Sequence, residues 1–231
     1  DKHVTGVQTC ALPILSTPQQ VELAEKTRVD IGPLATATFT GAAMHTPVAV
    51  TDEAIKNVEQ STIDCLVPVG GGSTIGLSKA IALRTGLPQI AIPTTYAGSE
   101  MTPILGQTED GVKTTQRTIK VLPEVVIYDV DLTLTLPTAL SVTSGINAMA
   151  HAIEALYAEN RNPVISMLAE EGIRALYRTL EVISDKPSDV AARRESPFGA
   201  WLCGTSLGSV VMLSEEHTSE LQSRAYLVCR P

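Results

Sequence analysis

Short, uninterrupted apolar runs alternate with helical patterns along the first part of the chain. Cys65–Val69 (CLVPV) and Gln89–Ile92 (QIAI) are apolar runs bounded by glycine or proline. That is the pattern of short strands buried on both faces. Val125–Tyr128 reads as a further buried strand ended by Asp129, and Ala35–Thr40 as another. Leu15–Gln20 (LSTPQQ) reads as a strand running into a helix, with Ser16 or Thr17 as cap and Pro18 at the first helical position. Helical patterns fall between these runs. They cover Gln19 to Asp30, Thr51 to Gln60 with Thr51 as N-cap, and Ile75 to Arg84, which Gly86 ends. Strands and helices in this alternation predict βαβ units and a parallel sheet. Thr108–Arg117 (TEDGVKTTQR) predicts a hairpin turning at Asp110-Gly111.

The character changes after Leu136-Pro137. Thr138–Ala158 and Ser166–Ile183 carry long helical patterns separated by Asn162-Pro163. Val190–Glu195 reads as a short third helix, and Ser196-Pro197 as the opening of a fourth. The predicted fold class is therefore an α/β domain with a parallel sheet followed by an all-helical domain. The α/β domain is expected over 15–137 and the helical domain over 138–213.

The two ends carry a pattern of another kind. Thr5–Pro13 reads TGVQTCALP and Ser214–Ser223 reads SEEHTSELQS. With suitable codons, one short DNA segment encodes the second on one strand and the first on the other. Two unrelated termini have no reason to be complementary in this way. Residues 1–14 and 214–231 are accordingly expected to be adapter-like additions to a frame truncated at both ends, and are set aside.

Composition narrows the classes of function. Of 231 residues, 44% are hydrophobic and 18% charged, so the chain is globular. With two Phe and one Trp, the core must be aliphatic and alanine-rich. A net charge of −8 without a Lys/Arg cluster argues against a nucleic-acid surface. The longest stretch free of charged residues, Ile31–Thr51, is interrupted by glycine, proline, threonine and His45, and is no membrane span. Cys65 and Cys203 lie in apolar contexts and read as buried thiols in a reducing compartment.

Two stretches carry candidate chemistry. In VPVGGGSTIGLSKAIA, Gly70, Gly71 and Gly72 follow a strand, and Ser73 and Thr74 open a helix. Such a turn brings backbone close to an anion and offers the helix N-terminus to it. It also serves as a plain strand-to-helix turn with a serine cap, and it matches neither standard nucleotide fingerprint. In SGINAMAHAIEALY, Asn147 and His151 are four apart and share a helix face, with Glu154 three beyond. They suit a packed, hydrogen-bonded histidine or a polar pair facing a cleft, and an uncharged amide oxygen is a poor metal ligand. A third stretch, PTTYAGSE, lies at the carboxyl end of a predicted strand, where open α/β sheets form their ligand crevice. A turn held by local side-chain hydrogen bonds has the same composition.

VGGGSTIGLSKAIALRTGLP, IPTTYAGSEMTPI, KTTQR, VIYDVDLTLTLP, TSGINAMAHAIEALYA and NPVISMLAEEGIRAL occur in that order. Together they resemble the iron-containing alcohol dehydrogenase superfamily, and most closely its maleylacetate reductase branch. The resemblance covers nearly all of Leu15–Leu213. It implies a Rossmann-like dinucleotide-binding domain, a helical domain of dehydroquinate synthase-like architecture, and an active site in the cleft between them. It implies NADH or NADPH as cofactor, with Gly70, Gly71, Gly72 and Ser73 on the pyrophosphate. Thr94, Thr95 and Ser99 would line the phosphate and nicotinamide region, Lys113 would lie near the nucleotide, and Ser16, Thr17 and Pro47 would lie near the adenosine end. Two positions depart from the metal-dependent relatives: Asn147 stands where they carry Asp, and Gly76 stands where many carry Asp. Both departures count against a bound iron or zinc.

The activity implied is reduction of maleylacetate, a small dicarboxylate, to 3-oxoadipate in aromatic-compound breakdown. It implies a cytoplasmic enzyme, a homodimer when full length, with no nucleic acid or membrane partner. Asn147 and His151 would then stabilise charge at the substrate. The alternatives are a metal-dependent alcohol dehydrogenase of the same superfamily, or a nucleotide-binding fragment without turnover because family histidines beyond Met212 are missing.

Overall fold

The computed structural model describes residues 10–16 and 21–211. The chain forms two compact units. The first holds the residues up to Pro93 together with Pro103–Ile127; the second holds Thr94–Thr102 and the chain from Tyr128 onward. The long helices begin at Thr138, and the stretches Thr94–Thr102 and Tyr128–Pro137 group with them rather than with the sheet.

In the first unit four parallel strands form one sheet in the order β1 (Ala11–Ile14), β2 (Cys65–Gly70), β3 (Ile90–Pro93), β6 (Val125–Val126). Every residue of β1 and β2 is buried, as uninterrupted apolar runs require when helices cover a parallel sheet. Leu12, Ile14, Leu66, Leu77 and Ile81 form the centre of its core. Ala11–Ile14 lies within the N-terminal stretch expected to be an addition. The run ALPI is nevertheless apolar enough to supply a buried strand, and it pairs in register with Cys65–Pro68.

The helices of this unit are α1 (Val21–Ile31), α2 (Val48–Gln60) and α3 (Gly72–Thr85). Gly86 ends α3 in the left-handed conformation, φ 72°, and its N–H donates to the Ala82 carbonyl. A separate hairpin joins β4 (Ile104–Glu109) to β5 (Val112–Arg117). Asp110 and Gly111 make the turn with φ of 50° and 79°, the mirror-image turn that fits strand twist. The second unit is built on α4 (Thr138–Tyr157), α5 (Pro163–Asp185) and α6 (Val190–Gly208). Its core is alanine-rich: Ala148, Ala152, Ala169 and Ala200 pack with Leu176, Leu180 and Ile183.

Several local expectations are corrected. Ala35–Thr40 is not a strand; Ala35 and Phe39 make single bridges to Ala11 and Ile14. Thr51 does not cap α2. The cap is Pro47, and Thr51 is buried one turn inside, its hydroxyl donating to the Pro47 carbonyl. A proline N-cap gives no side-chain hydrogen bond, so the helix start had no polar signature. The strand expected over Val125–Tyr128 shortens to two residues. The two helices expected across Ser196-Pro197 are one, with Pro197 inside α6. Proline removes one backbone hydrogen bond there. Burial of Ala192, Arg193, Ser196, Pro197, Gly199 and Ala200 holds the helix together across the gap. The cap expected at Thr17 and the first turn at 18–20 lie outside the described residues.

Candidate functional site

The glycine turn sits at the carboxyl edge of the sheet. Gly70 closes β2 and is the register partner of Pro93, which closes β3. Gly71 is the N-cap of α3, with extended backbone and no side-chain cap. Gly72 begins the helix, and a Cβ built on it meets nothing within 4 Å. Ser73 is a helical residue and not the cap, so the plain serine-cap explanation of this turn does not hold. The first N–H groups of a helix lack intrahelical acceptors. Here no side chain caps them and no methyl group crowds the approach. The arrangement fits an anionic oxygen, as a pyrophosphate would supply.

Ser16 follows β1, next to β2, and its hydroxyl donates to the Ala42 carbonyl at 2.8 Å. Ser16, the glycine turn and Thr94 therefore each follow the carboxyl end of one of three neighbouring parallel strands. Pro47 is bridged to Thr108, whose cross-strand partner is Lys113. The structure thus brings Pro47 and Lys113 to the same hairpin. Thr17 lies outside the described residues.

Gly76 has a structural cause. His45 and Thr46 adopt left-handed backbone, φ 63° and 46°, immediately before Pro47. That turn carries the Thr46 hydroxyl against α3, where a Cβ at position 76 would lie 2.5 Å from Thr46 Oγ1. Aspartate at 76 would need the Thr46 hydroxyl to move aside.

The second unit positions its polar groups by packing. Thr94 is buried, and Thr95 and Ser99 are half-buried. Ser99 opens a short 3-10 turn, Ser99–Met101, after Gly98 at φ 75°. Gly98 also packs against Gly204 of α6: a Cβ at Gly204 would collide with the Gly98 carbonyl oxygen. The Tyr96 N–H donates to Ser144 Oγ on α4. Glu100 is buried and accepts from the Tyr128 hydroxyl at 2.7 Å. Burial, then the Glu100 charge, pushes that hydroxyl far above the usual tyrosine range.

Arg193 anchors the unit. Its guanidinium donates to the Thr133, Leu136 and Pro187 carbonyls, to Ser141 Oγ and to Tyr96 Oη, and the residue is 1% exposed. No local pattern signals this role. ARRE reads as a solvated charge run, and the five acceptors are scattered along the chain.

Asn147 and His151 lie one turn apart on α4, both half-buried. His151 Nδ1 is 3.5 Å from Glu154 Oε2 on the same helix. The thiols of Cys65 and Cys203 are free and buried. Burial pushes Cys65 up to about 11, with the Asp64 and Glu124 charges adding, and burial alone pushes Cys203 up to about 12.

A parallel sheet with a glycine turn at its carboxyl edge, and a helical unit carrying a polar pair, define an α/β protein with an all-helical partner unit. Residues 14–130 match the iron-containing alcohol dehydrogenase family and residues 141–222 its C-terminal region, so the chain belongs to that family. The resemblance read from the six motifs is borne out. The chain is 60% identical over 199 residues to a maleylacetate reductase of Rhizobium sp. (strain MTP-10005), covering 86% of this chain and 57% of that relative. The crystal structure of maleylacetate reductase from the same strain superposes with a TM-score of 0.87 at 54% identity, covering 96% of this chain and 63% of that one. The corresponding enzyme of Agrobacterium tumefaciens gives 0.85 at 58%, covering 90% and 59%. The chain thus spans little more than half the length of the relatives it matches.

The family implies iron. Among the described residues no group of three or more His, Cys, Asp or Glu side chains is placed to hold a metal ion. The polar pair on α4 offers one imidazole and one neutral amide, so the described residues do not fit a bound metal. Among them, too, no helix is long and apolar enough to cross a membrane.

Proposed function

We propose that the protein to which this chain belongs reduces maleylacetate to 3-oxoadipate with NADH or NADPH. The observation that carries the reading is the pairing of His151 with an amide at 147, in a chain 60% identical to a maleylacetate reductase. The substrate class follows from that relative: a small dicarboxylate with a carbon–carbon double bond conjugated to a carbonyl.

When bound, the reduced nicotinamide supplies hydride to that double bond. The residues of this chain do the rest. The glycine turn, Gly70 to Ser73, holds the pyrophosphate with backbone N–H groups at the α3 N-terminus. Thr94, Thr95 and Ser99 offer hydroxyls to the phosphate and nicotinamide region. Ser16, Thr17 and Pro47 border the adenosine end, and Lys113 places a positive charge near the nucleotide. Negative charge develops on the substrate carbonyl oxygen as the double bond is reduced. His151 and Asn147 stabilise it as hydrogen-bond donors, the task a Lewis acid performs in metal-dependent relatives. We assign the nucleotide to the α/β part, 15–137, and the polar pair to the helical part, 138–213. Homodimer formation and a cytoplasmic location accompany this reading.

A second reading is binding of the nucleotide without turnover, for which the glycine turn without a side-chain cap at the α3 N-terminus suffices by itself. One experiment separates the two. NADH and NADPH binding is followed by fluorescence, and oxidation at 340 nm is followed with maleylacetate. Turnover yielding 3-oxoadipate, unchanged by chelator, supports the reductase. Binding without oxidation supports the silent fragment. Oxidation of simple alcohols that depends on added iron or zinc would overturn both.

A further inference from the structure

We propose that Glu154 is a positioning residue for His151, keeping the imidazole proton on Nδ1 so that Nε2 is the nitrogen presented to substrate. The inference rests on the proposed reductase reading for its chemistry, and on α4 alone for its geometry.

His151 Nδ1 and Glu154 Oε2 are both buried atoms without a hydrogen-bond partner, and they face each other across 3.5 Å. The two side chains are 15% and 11% exposed. Because Nδ1 itself is buried, the exposed part of the imidazole lies elsewhere on the ring. Two buried polar atoms left unpaired are costly, and a donor–acceptor pair removes both costs together. Only one assignment of the proton achieves this. A carboxylate accepts and cannot donate, so the nitrogen facing it must carry the hydrogen. At 3.5 Å the bond is longer than a formed N–H···O contact, and such bonds commonly shorten when substrate closes the site. The spacing i, i+3 keeps the carboxylate beside the ring on one helix face.

The consequence for the reaction is specific. With Nδ1–H directed at Glu154, Nε2 is the only ring nitrogen that can exchange a proton with substrate. Once Nε2 has taken up a proton it donates to the oxygen on which negative charge develops, while Nδ1–H stays directed at Glu154. With the opposite tautomer, Nδ1 would be an unprotonated acceptor facing a carboxylate, which is repulsive.

The test is the tautomer. The 231-residue chain is labelled with 15N-histidine, and long-range proton–nitrogen correlation assigns the ring proton of each of its four histidines. The His151 signal is identified by its loss in His151→Gln. Expected is an Nδ1-protonated ring in the unmodified chain, retained in Glu154→Gln, whose amide oxygen still accepts. In Glu154→Ala the ring reverts towards the Nε2–H tautomer. Where turnover is measurable, Glu154→Ala lowers kcat roughly tenfold or more with little change in KM, and Glu154→Gln restores most of it. An Nε2–H ring in the unmodified chain, or an Nδ1–H ring that persists in Glu154→Ala, overturns the proposal. Should Glu154→Ala not fold, the unmodified spectrum and Glu154→Gln decide alone. Absence of maleylacetate turnover by the full-length protein, together with the predicted tautomer pattern, would sink the reductase reading and leave the Glu154–His151 pairing standing.

Discussion

The two units place polar chemistry by different means. In the α/β unit the candidate site is backbone: three glycines, a helix start without a side-chain cap, and strand ends in register. In the helical unit it is side chains held by packing: Arg193 with its five acceptors, Glu100 with Tyr128, and His151 beside Glu154. A backbone site is written locally, since a few consecutive residues set the turn. A packed site needs partners brought from far along the chain. The first should tolerate change to neighbouring side chains but not to its glycines. The second should fail when a single anchor is removed.

The largest effect is expected at Arg193. Arg193→Ala strips five acceptors of their donor and opens a buried volume, costing about 4 kcal/mol of stability. Urea unfolding followed through Trp201, which lies on α6, reads it directly. A loss under about 1 kcal/mol would break the contrast between the units.

Next is the glycine contact of the helical unit. Gly204→Ala drives a methyl into the Gly98 carbonyl and should cost about 2 kcal/mol, seen as a lower Tm. An unchanged Tm would show that α6 does not hold the loop carrying Thr94, Thr95 and Ser99.

Gly72→Ala sharpens the comparison from the other side. A Cβ there meets no protein atom, so the fold should keep its Tm. If a phosphate occupies the turn, the methyl stands in its way and NADH binding weakens about tenfold, roughly 1.4 kcal/mol. Titration by fluorescence separates the outcomes. Unchanged affinity would return the turn to an ordinary strand-to-helix connection.

The smallest effect is one in which the units do not differ. Cys65 and Cys203, one in each, have thiol pKa values raised by burial to about 11 and about 12. An unfolded thiol ionises near pH 8.5. Between that value and the folded one the native state therefore holds more protons than the unfolded state. The contribution is fully present below pH 8.5 and is lost as pH rises, by roughly 0.8 kcal/mol for each thiol between pH 7 and pH 9. Urea unfolding at the two pH values measures it, and the double variant Cys65→Ala/Cys203→Ala should lack that part of the slope.

Much of the site is legible in the order of residues. The glycine turn, the polar pair on α4 and the hairpin at Asp110-Gly111 are local in sequence, and each is found on the predicted kind of element. The errors have a common origin. Ala35–Thr40 has strand composition but reaches β1 only through single bridges. Thr51 has a cap's chemistry but lies a turn inside a helix begun by Pro47. Pro197 carries a breaker's signal, yet burial around it keeps α6 continuous. In each case tertiary packing overrode a local preference worth about 1–3 kcal/mol.

Fold class, family and the elements on which the candidate residues sit all follow from the amino-acid order. Hydrophobic periodicity, glycine turns and ordered motifs are properties of neighbouring residues, and neighbours are fixed by covalent connection. Four features follow instead from the folded chain. Thr94–Thr102 joins the helical unit, Arg193 is that unit's hydrogen-bonding hub, Thr46 fills the space beside Gly76, and Nδ1 of His151 is buried facing Glu154. The first three depend on contacts between residues distant in the chain, and the burial of the fourth depends on what packs around α4. No local pattern encodes the burial of these polar groups, which alone turns a charge run into an anchor and a helical i, i+3 pair into a directed one.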